Sequence, residues 1–250
     1  MKYTFSGQSV LVTGAASGIG EATARLLAAN GLSVVVSDIH PESVQRVVAA
    51  ITAAGGTAIA NLCDVSKADQ VQAAVETAVQ RFGGLHYAVN NAGIGGQAGA
   101  VGEMSLDAWQ QVVDVNLNGV AYGLRYQIPA ILAAGGGAVV NMSSILGLVG
   151  IATAPAYNAA KHAVTGLTRS AALAYSAKGV RVNSLHPGYV DTPILDNLDA
   201  SVRTELVGLH PIGRLGNAEE IAHATAFLLS DGASFITGAA LTADGGYTAQ

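Results

Sequence analysis

SVLVTGAASGIGEATARLLAANG, residues 9–31, runs from a short apolar segment through a glycine-rich turn into a helix-periodic one. SVLVT (9–13) has the length and β-branched content of a buried strand. After the glycines, Ile19, Ala22, Thr23, Leu26 and Leu27 recur at helical spacing and stop at Asn30-Gly31, where a left-handed C-cap is expected. LSVVVS (32–37) follows as a second strand, so the stretch reads as one βαβ unit.

The same alternation fills the rest of the chain. Strands are read at TAIANL (57–62), LHYAVN (85–90), AVVNMS (138–143), VRVNSL (180–185) and AALTAD (239–244). Val44, Val47, Val48 and Ile51 mark a helix ending at Gly55-Gly56, and Val71, Ala74, Val75, Ala78, Val79 and Phe82 mark another ending at Gly83-Gly84. The pattern predicts an α/β fold, a doubly wound seven-stranded parallel sheet with helices on both faces. No charge block, low-complexity tract or repeat of solenoid length interrupts it, so residues 1–250 are read as one domain. The stretch 188–216, with Pro193 and Pro211 but little periodicity, is the longest irregular connection and the expected substrate loop.

Composition narrows the partners. With 50% hydrophobic and 12% charged residues, the chain can bury a substantial core and is not of disordered type. A net charge of −5, with 12 basic residues scattered along the chain, argues against nucleic acid as a partner. Cys63 is the single cysteine, which excludes an internal disulfide and fits a reducing cytoplasm. The start, MKYTFSGQSV, lacks the apolar region of a signal peptide, and no apolar run approaches the ~20 residues that span a bilayer. No membrane association is expected.

TGAASGIG (13–20) joins the first strand to the first helix. Three glycines at this spacing arise about 0.5 times by chance in such a composition, so the position supplies the specificity. Glycine permits a tight turn and the close approach of backbone to a pyrophosphate seated at the positive end of the helix. Asp38 closes the second strand, 18 residues after Gly20. A carboxylate there accepts hydrogen bonds from the ribose hydroxyls of NAD and repels a 2′-phosphate, and no basic residue stands at Ala15, Ala16 or Ile39. His40 is the one neighbour that softens this preference when protonated. The plainer reading of Asp38 is a residue preceding the helix that opens at Pro41.

YNAAK (157–161) sets a phenol and an ammonium at i and i+4 on one helix face, with Pro155 suited to the first turn. In a chain of this composition the pairing is expected roughly 0.13 times by accident. An ammonium ~4 Å from a phenol of pKa ~10 interacts with the phenolate by ~4 kcal/mol at an effective dielectric constant of ~20. Lys161 is therefore expected to lower the Tyr157 pKa and make it a usable acid/base. Ser144, which follows Ser143 at the carboxyl end of a strand, is placed to donate a hydrogen bond to a substrate oxygen. A Ser-His-Asp arrangement using His162 or His186 lacks the Gly-x-Ser-x-Gly elbow. His86, His186, His210 and His223 show no ligand spacing and read as ordinary core or surface residues, and no metal is expected.

TGAASGIG, NNAG (90–93), a serine thirteen residues before Tyr157 and the Tyr-x-x-x-Lys occur in order in one chain. Together they resemble the short-chain dehydrogenase/reductase family, in its single-domain branch of about this length, over essentially residues 7–247. The resemblance implies a Rossmann-type fold in which Gly14, Gly18, Ile19 and Gly20 hold the cofactor pyrophosphate and Asp64 and Val65 meet adenine. Asn90, Ala92 and Gly93 would line the cofactor and stabilise the central sheet. Asn116, Ser144, Tyr157 and Lys161 match the catalytic tetrad. Asn116, otherwise a solvated residue of the long helix after Trp109, is thereby given a proton-relay role, and Lys161 would also hold the nicotinamide ribose. In PGYVDT, Pro187, Gly188, Val190 and Thr192 match the segment that binds nicotinamide. The resemblance also implies pairing of copies through the helix at about 155–177. That helix is apolar on more sides than one chain uses, through Ala159, Ala163, Leu167 and Leu173 among others, and a homotetramer is expected.

The expected activity is NAD(H)-dependent hydride transfer between a secondary alcohol and a ketone, with Tyr157 as acid/base. Segments 94–104, 145–156 and 189–209 are rich in Gly, Ala, Leu, Ile and Val and are expected to wall an apolar pocket for this small molecule, with Arg203 the lone nearby cation. Two alternatives stay open: a 3-oxoacyl thioester substrate, which the low basic content disfavours if an acidic carrier must dock, and a non-catalytic nucleotide-sensing protein on the same fold.

Overall fold

Val10 and Val12 face one layer and Leu11 the other, and the division recurs at Val34 and Val36 against Val35. Such two-sided burial is what a parallel sheet covered on both faces requires. The computed structural model describes residues 2–195 and 199–249. Its strands are β1 (Ser9–Thr13), β2 (Ser33–Asp38), β3 (Thr57–Leu62), β4 (Tyr87–Asn90), β5 (Gly137–Met142), β6 (Val180–Pro187), β7 (Val190–Asp191), β8 (Gly216–Asn217) and β9 (Ala240–Ala243). Seven form one parallel sheet in the order β3-β2-β1-β4-β5-β6-β9. Helices α1 (Gly18–Ala29), α2 (Pro41–Ala53) and α8 (Ala218–Leu229) cover one face, and α3 (Ala68–Phe82), α5 (Gly119–Ala133) and α6 (Pro155–Tyr175) the other.

The strand order reverses at β1, which pairs with β2 on one side and β4 on the other. Connections leave that point toward opposite faces, and the crevice they open at the carboxyl ends is where ligands bind in such sheets. The left-handed C-cap expected after α1 is present at Gly31, with φ of 92°.

Two expectations are corrected. The long helix after Trp109 is α4 (Leu106–Val113) running into α5 through one π turn, Asp114–Asn118. In that wide turn the buried Asn116 carboxamide bonds both the N–H and the C=O of Ile94, at 2.8 Å each. Asn116 is thus buried and not solvated. The 188–216 connection also carries structure: β7 pairs with β8, and α7 (Ala200–Gly208) lies between them. A two-residue ladder and a nine-residue helix are too short to show a period. Residues 196–198 of this connection lie outside the described residues. Among the described residues no helix is long and apolar enough to cross a membrane.

Candidate active site

Loops at the carboxyl ends of β1 to β6 enclose a cleft of about 630 Å³. Every residue expected to be catalytic or to bind the cofactor lines it, apart from Gly20, Asn90 and Asn116.

One end is a backbone cradle. Gly14 has φ of 62°, and a Cβ there would lie 2.7 Å from Ala92 Cα. A Cβ at Gly20 would lie 2.0 Å from the Gly14 carbonyl oxygen, so Gly20 lets α1 pack on the turn and does not itself face the cleft. The first residues of α1, Gly18 and Ile19, do face it, and Thr192 approaches from the opposite wall, 3.3 Å from a Cβ built on Gly18. Bare backbone N–H groups at a helix N-terminus fit the pyrophosphate of a dinucleotide.

Asp38 is fixed at the rim of the cradle. Its Oδ2 accepts from Ala16 N–H at 3.1 Å and its Oδ1 from Ile39 N–H at 2.7 Å. Sequence reasoning missed Arg46, on α2, whose guanidinium donates to the Ala16 carbonyl at 2.9 Å and to Glu21 at 2.8 Å. The Arg46 hydrogen bond holds the Glu21 carboxyl below its usual range. Asp64 and Val65 line the same end of the cleft.

At the sheet centre Asn90, expected to line the cofactor and stabilise the sheet, lies behind the cleft lining. Asn90 is buried and its amide bonds Gln127 at 3.0 Å and Asn141 at 2.9 Å. The residue at the cleft is Asn91, which donates to the carbonyls of Thr13 and Gly14 at 3.0 Å each. Ala92 and Gly93 follow along the floor. A Cβ on Gly93 would lie 3.2 Å from Asn116 Oδ1 and 3.5 Å from Lys161 Nζ, so Asn116 stands directly behind the lysine's side of the site.

α6 presents Tyr157 and, one turn on, Lys161. The ammonium lies 5.4 Å from the Tyr157 ring centroid and donates to the carbonyl of Met142, the last residue of β5, at 2.8 Å. The Ser144 hydroxyl faces the same cleft as the Tyr157 phenol and acts to lower its pKa, and its Oγ accepts from Leu146 N–H at 3.1 Å. Ser143 instead donates to the Lys161 carbonyl at 2.9 Å. The lowering of the Tyr157 pKa expected from Lys161 does not prevail over burial. Burial raises Tyr157 above its ordinary value, with the Ser144 hydroxyl opposing, and burial pushes Lys161 down to about 8.

The remaining walls are apolar. They are Ile94 from the first expected segment, Ile145, Leu146, Ile151 and Ala154 from the second, and Tyr189, Val190 and Leu195 from the third. Arg203 is bonded to Asp191 outside the cleft, so it offers no cation to a substrate. Among the described residues Lys161 is the only lysine or arginine lining the cleft. Pro187 and Gly188 complete the wall. A Cβ at Gly188 would meet His210 Nε2 at 2.7 Å, and that nitrogen accepts from Tyr189 N–H at 3.1 Å. Among the described residues no three His, Cys, Asp or Glu side chains converge as a metal site would require.

A family model described as enoyl-(acyl carrier protein) reductase matches residues 14–248. The chain is 54% identical over 250 residues to a cyclohexanol dehydrogenase of Acinetobacter sp. (strain SE19), covering 100% of this chain and 98% of that protein. It is 47% identical over 249 residues to a cis-4-hydroxycyclohexanecarboxylate dehydrogenase of Sinomonas cyclohexanicum, covering 100% of each. The crystal structure of a short-chain type dehydrogenase/reductase from Mycobacterium marinum superposes with a TM-score of 0.94 at 33% identity, covering 99% of this chain and 98% of that one.

Proposed function

The chain belongs to the short-chain dehydrogenase/reductase family, and we propose that it is an NAD(H)-dependent dehydrogenase interconverting an apolar cyclic secondary alcohol and its ketone. The observation that carries this reading is the meeting of Ser144, Tyr157 and Lys161 in a cleft whose walls away from the glycine turn are mainly apolar. The names of the Acinetobacter and Sinomonas relatives, both built on a six-membered ring alcohol, support the cyclic substrate.

Bound NAD would supply the acceptor for the hydride of the carbinol carbon. The alcohol proton passes to the Tyr157 oxygen, the phenol that α6 presents to the cleft one turn before Lys161. Because Ser144 Oγ already accepts from Leu146, its own O–H is directed to the reacting oxygen, where negative charge develops. Lys161 would hold the nicotinamide ribose from beneath Tyr157. With both ends of its carboxamide spent on Ile94, Asn116 acts by fixing the floor at Ile94 and Gly93 and not by relaying a proton through its side chain. Gly14, Gly18, Ile19 and Thr192 would hold the pyrophosphate, Asp64 and Val65 the adenine, and Pro187, Gly188 and Val190 the nicotinamide.

Asp38 supports NAD over NADP, because a 2′-phosphate would meet an acceptor-only group while the nearby Arg46 is already paired with Glu21. The exposed face of α6, with Ala159, Gly166 and Leu173, supports the expected homotetramer, and the single buried thiol of Cys63 supports a cytoplasmic setting. An absorbance assay of NADH formation tests the activity, with cyclohexanol, acyclic alcohols, a 3-oxoacyl thioester with NADH, and NADP as arms. The expected result is highest kcat/KM for the cyclic alcohol with NAD. Turnover confined to the thioester, or none with any arm, refutes the reading.

A further inference from the structure

We propose that His186 is a positioning residue for this reaction, holding the Ser144 main chain so that the serine hydroxyl meets Tyr157 and the substrate oxygen. The inference rests on the roles assigned above to Ser144 and Tyr157. His186 lies in β6 with no exposed surface. Its Nδ1 is 2.8 Å from the Ser144 carbonyl oxygen and its Nε2 is 2.9 Å from Ser184 Oγ.

A carbonyl can only accept, so Nδ1 carries the proton and Nε2 is the acceptor. The Ser184 hydroxyl satisfies that acceptor; its other partner, the Ala239 carbonyl, is farther away at 3.3 Å. Both ring nitrogens are therefore engaged, which fixes the tautomer and the orientation of the ring. Burial holds the imidazole below its ordinary pKa and so keeps it neutral. The bond to the Ser144 carbonyl opposes this in part, and the charges of Lys161, Arg169 and His162 on α6 act with burial. An aliphatic side chain would fill this core position without the cost of burying a polar ring. What the imidazole adds is a donor aimed at the residue beside β5 whose hydroxyl does chemistry. Ser144 is held extended, with φ of −167° and ψ of 165°.

The test compares His186→Leu with His186→Asn, whose amide nitrogen can take the place of Nδ1. On loss of one hydrogen bond at a reacting centre, His186→Leu should lower kcat about tenfold and leave the NADH Kd within about twofold. The Ser144 hydroxyl is the influence that lowers the Tyr157 pKa against burial; Tyr189 acts with burial to raise it, and Lys161 lies 5.4 Å from the ring centroid. The rise of alcohol oxidation with pH should therefore move upward by about half to one unit in His186→Leu. His186→Asn should restore most of both, and His186→Leu should add little in a Ser144→Ala background. A lowered melting temperature with kcat and pH profile unchanged would make His186 a core residue only and overturn the proposal. So would an undiminished effect in the Ser144→Ala background. If His186→Leu does not fold, Ser184→Ala, which frees the ring to turn, should show the same shift in smaller measure; no shift there overturns it. Near-normal turnover in Tyr157→Phe would instead remove the functional reading on which the inference rests.

Discussion

The Lys161 ammonium lies 5.4 Å from the centroid of the Tyr157 ring and donates to the Met142 carbonyl. Both groups share one desolvated space, and each moves toward its neutral form: the phenol upward, the ammonium down to about 8. A tyrosine held neutral is a ready acid for ketone reduction and becomes a base only as pH rises. Tyr157→Phe should lower kcat by about 10²–10⁴-fold in both directions, the range of a positioned acid/base. The NADH Kd, read by fluorescence titration, should be unchanged, because ring and helix remain. In the wild type, alcohol oxidation should rise with pH and ketone reduction should fall. The opposite slopes would remove Tyr157 from the proton transfer.

Lys161 also carries a stability cost. Its folded pKa of about 8 lies below the ordinary 10.5, so folding disfavours its charged form. That penalty is present in full below about pH 8 and fades as pH rises toward 10.5. Lys161→Met should therefore stabilise the protein at pH 7 by about 2 kcal/mol, after allowance for the Met142 carbonyl left unbonded, while turnover is lost. Urea unfolding at pH 7 and pH 10 checks this, with the gain smaller at the higher pH. A variant less stable than the wild type at pH 7 would contradict it.

The cofactor prediction turns on Asp38. Replacing it by serine and its neighbour by arginine, Asp38→Ser with Ile39→Arg, removes the acceptor that opposes a 2′-phosphate and adds a donor for it. Affinity for 2′,5′-ADP, measured by calorimetry without turnover, should rise at least about tenfold relative to 5′-AMP. Equal binding of both ligands by the wild type would show that Asp38 does not face the ribose.

Local periodicity made the sheet legible. Seven strands were read with ends within two residues of those observed, because strands buried on both faces leave unbroken apolar runs such as Val34–Val36. What stayed hidden depends on partners distant in the chain. His186 meets Ser144 across 42 residues and Asn116 meets Ile94 across 22, and nothing around either residue signals the pairing. The likeness to a family placed Asn90 at the cofactor, but only the packed sheet shows that its amide is spent on Gln127 and Asn141. Arg46 escaped notice for a related reason, since it reaches the glycine turn from the next helix.

Asn90 yields the last prediction, because its place behind the cleft separates stability from binding. Its amide donates to Gln127 and Asn141, its oxygen accepts from Gln127 at 2.8 Å, and Asn141 passes the chain on to Thr168 at 2.9 Å. All four side chains are buried, so none can turn to water if a partner is lost. A Cβ at Gly123 would lie 2.4 Å from Asn90 Oδ1, which shows how closely α5 is packed onto this group. Asn90→Ala removes three hydrogen bonds and leaves Gln127 with both ends of its amide unsatisfied. The expected cost is about 3 kcal/mol in urea unfolding, from one unmet donor on Gln127 and two unmet acceptors, on Gln127 and Asn141, in a buried network. NADH Kd and kcat/KM, measured well below the unfolding transition, should stay within about twofold, since Asn90 does not line the cleft. A tenfold weaker Kd with stability intact would return Asn90 to the cofactor's side of the sheet.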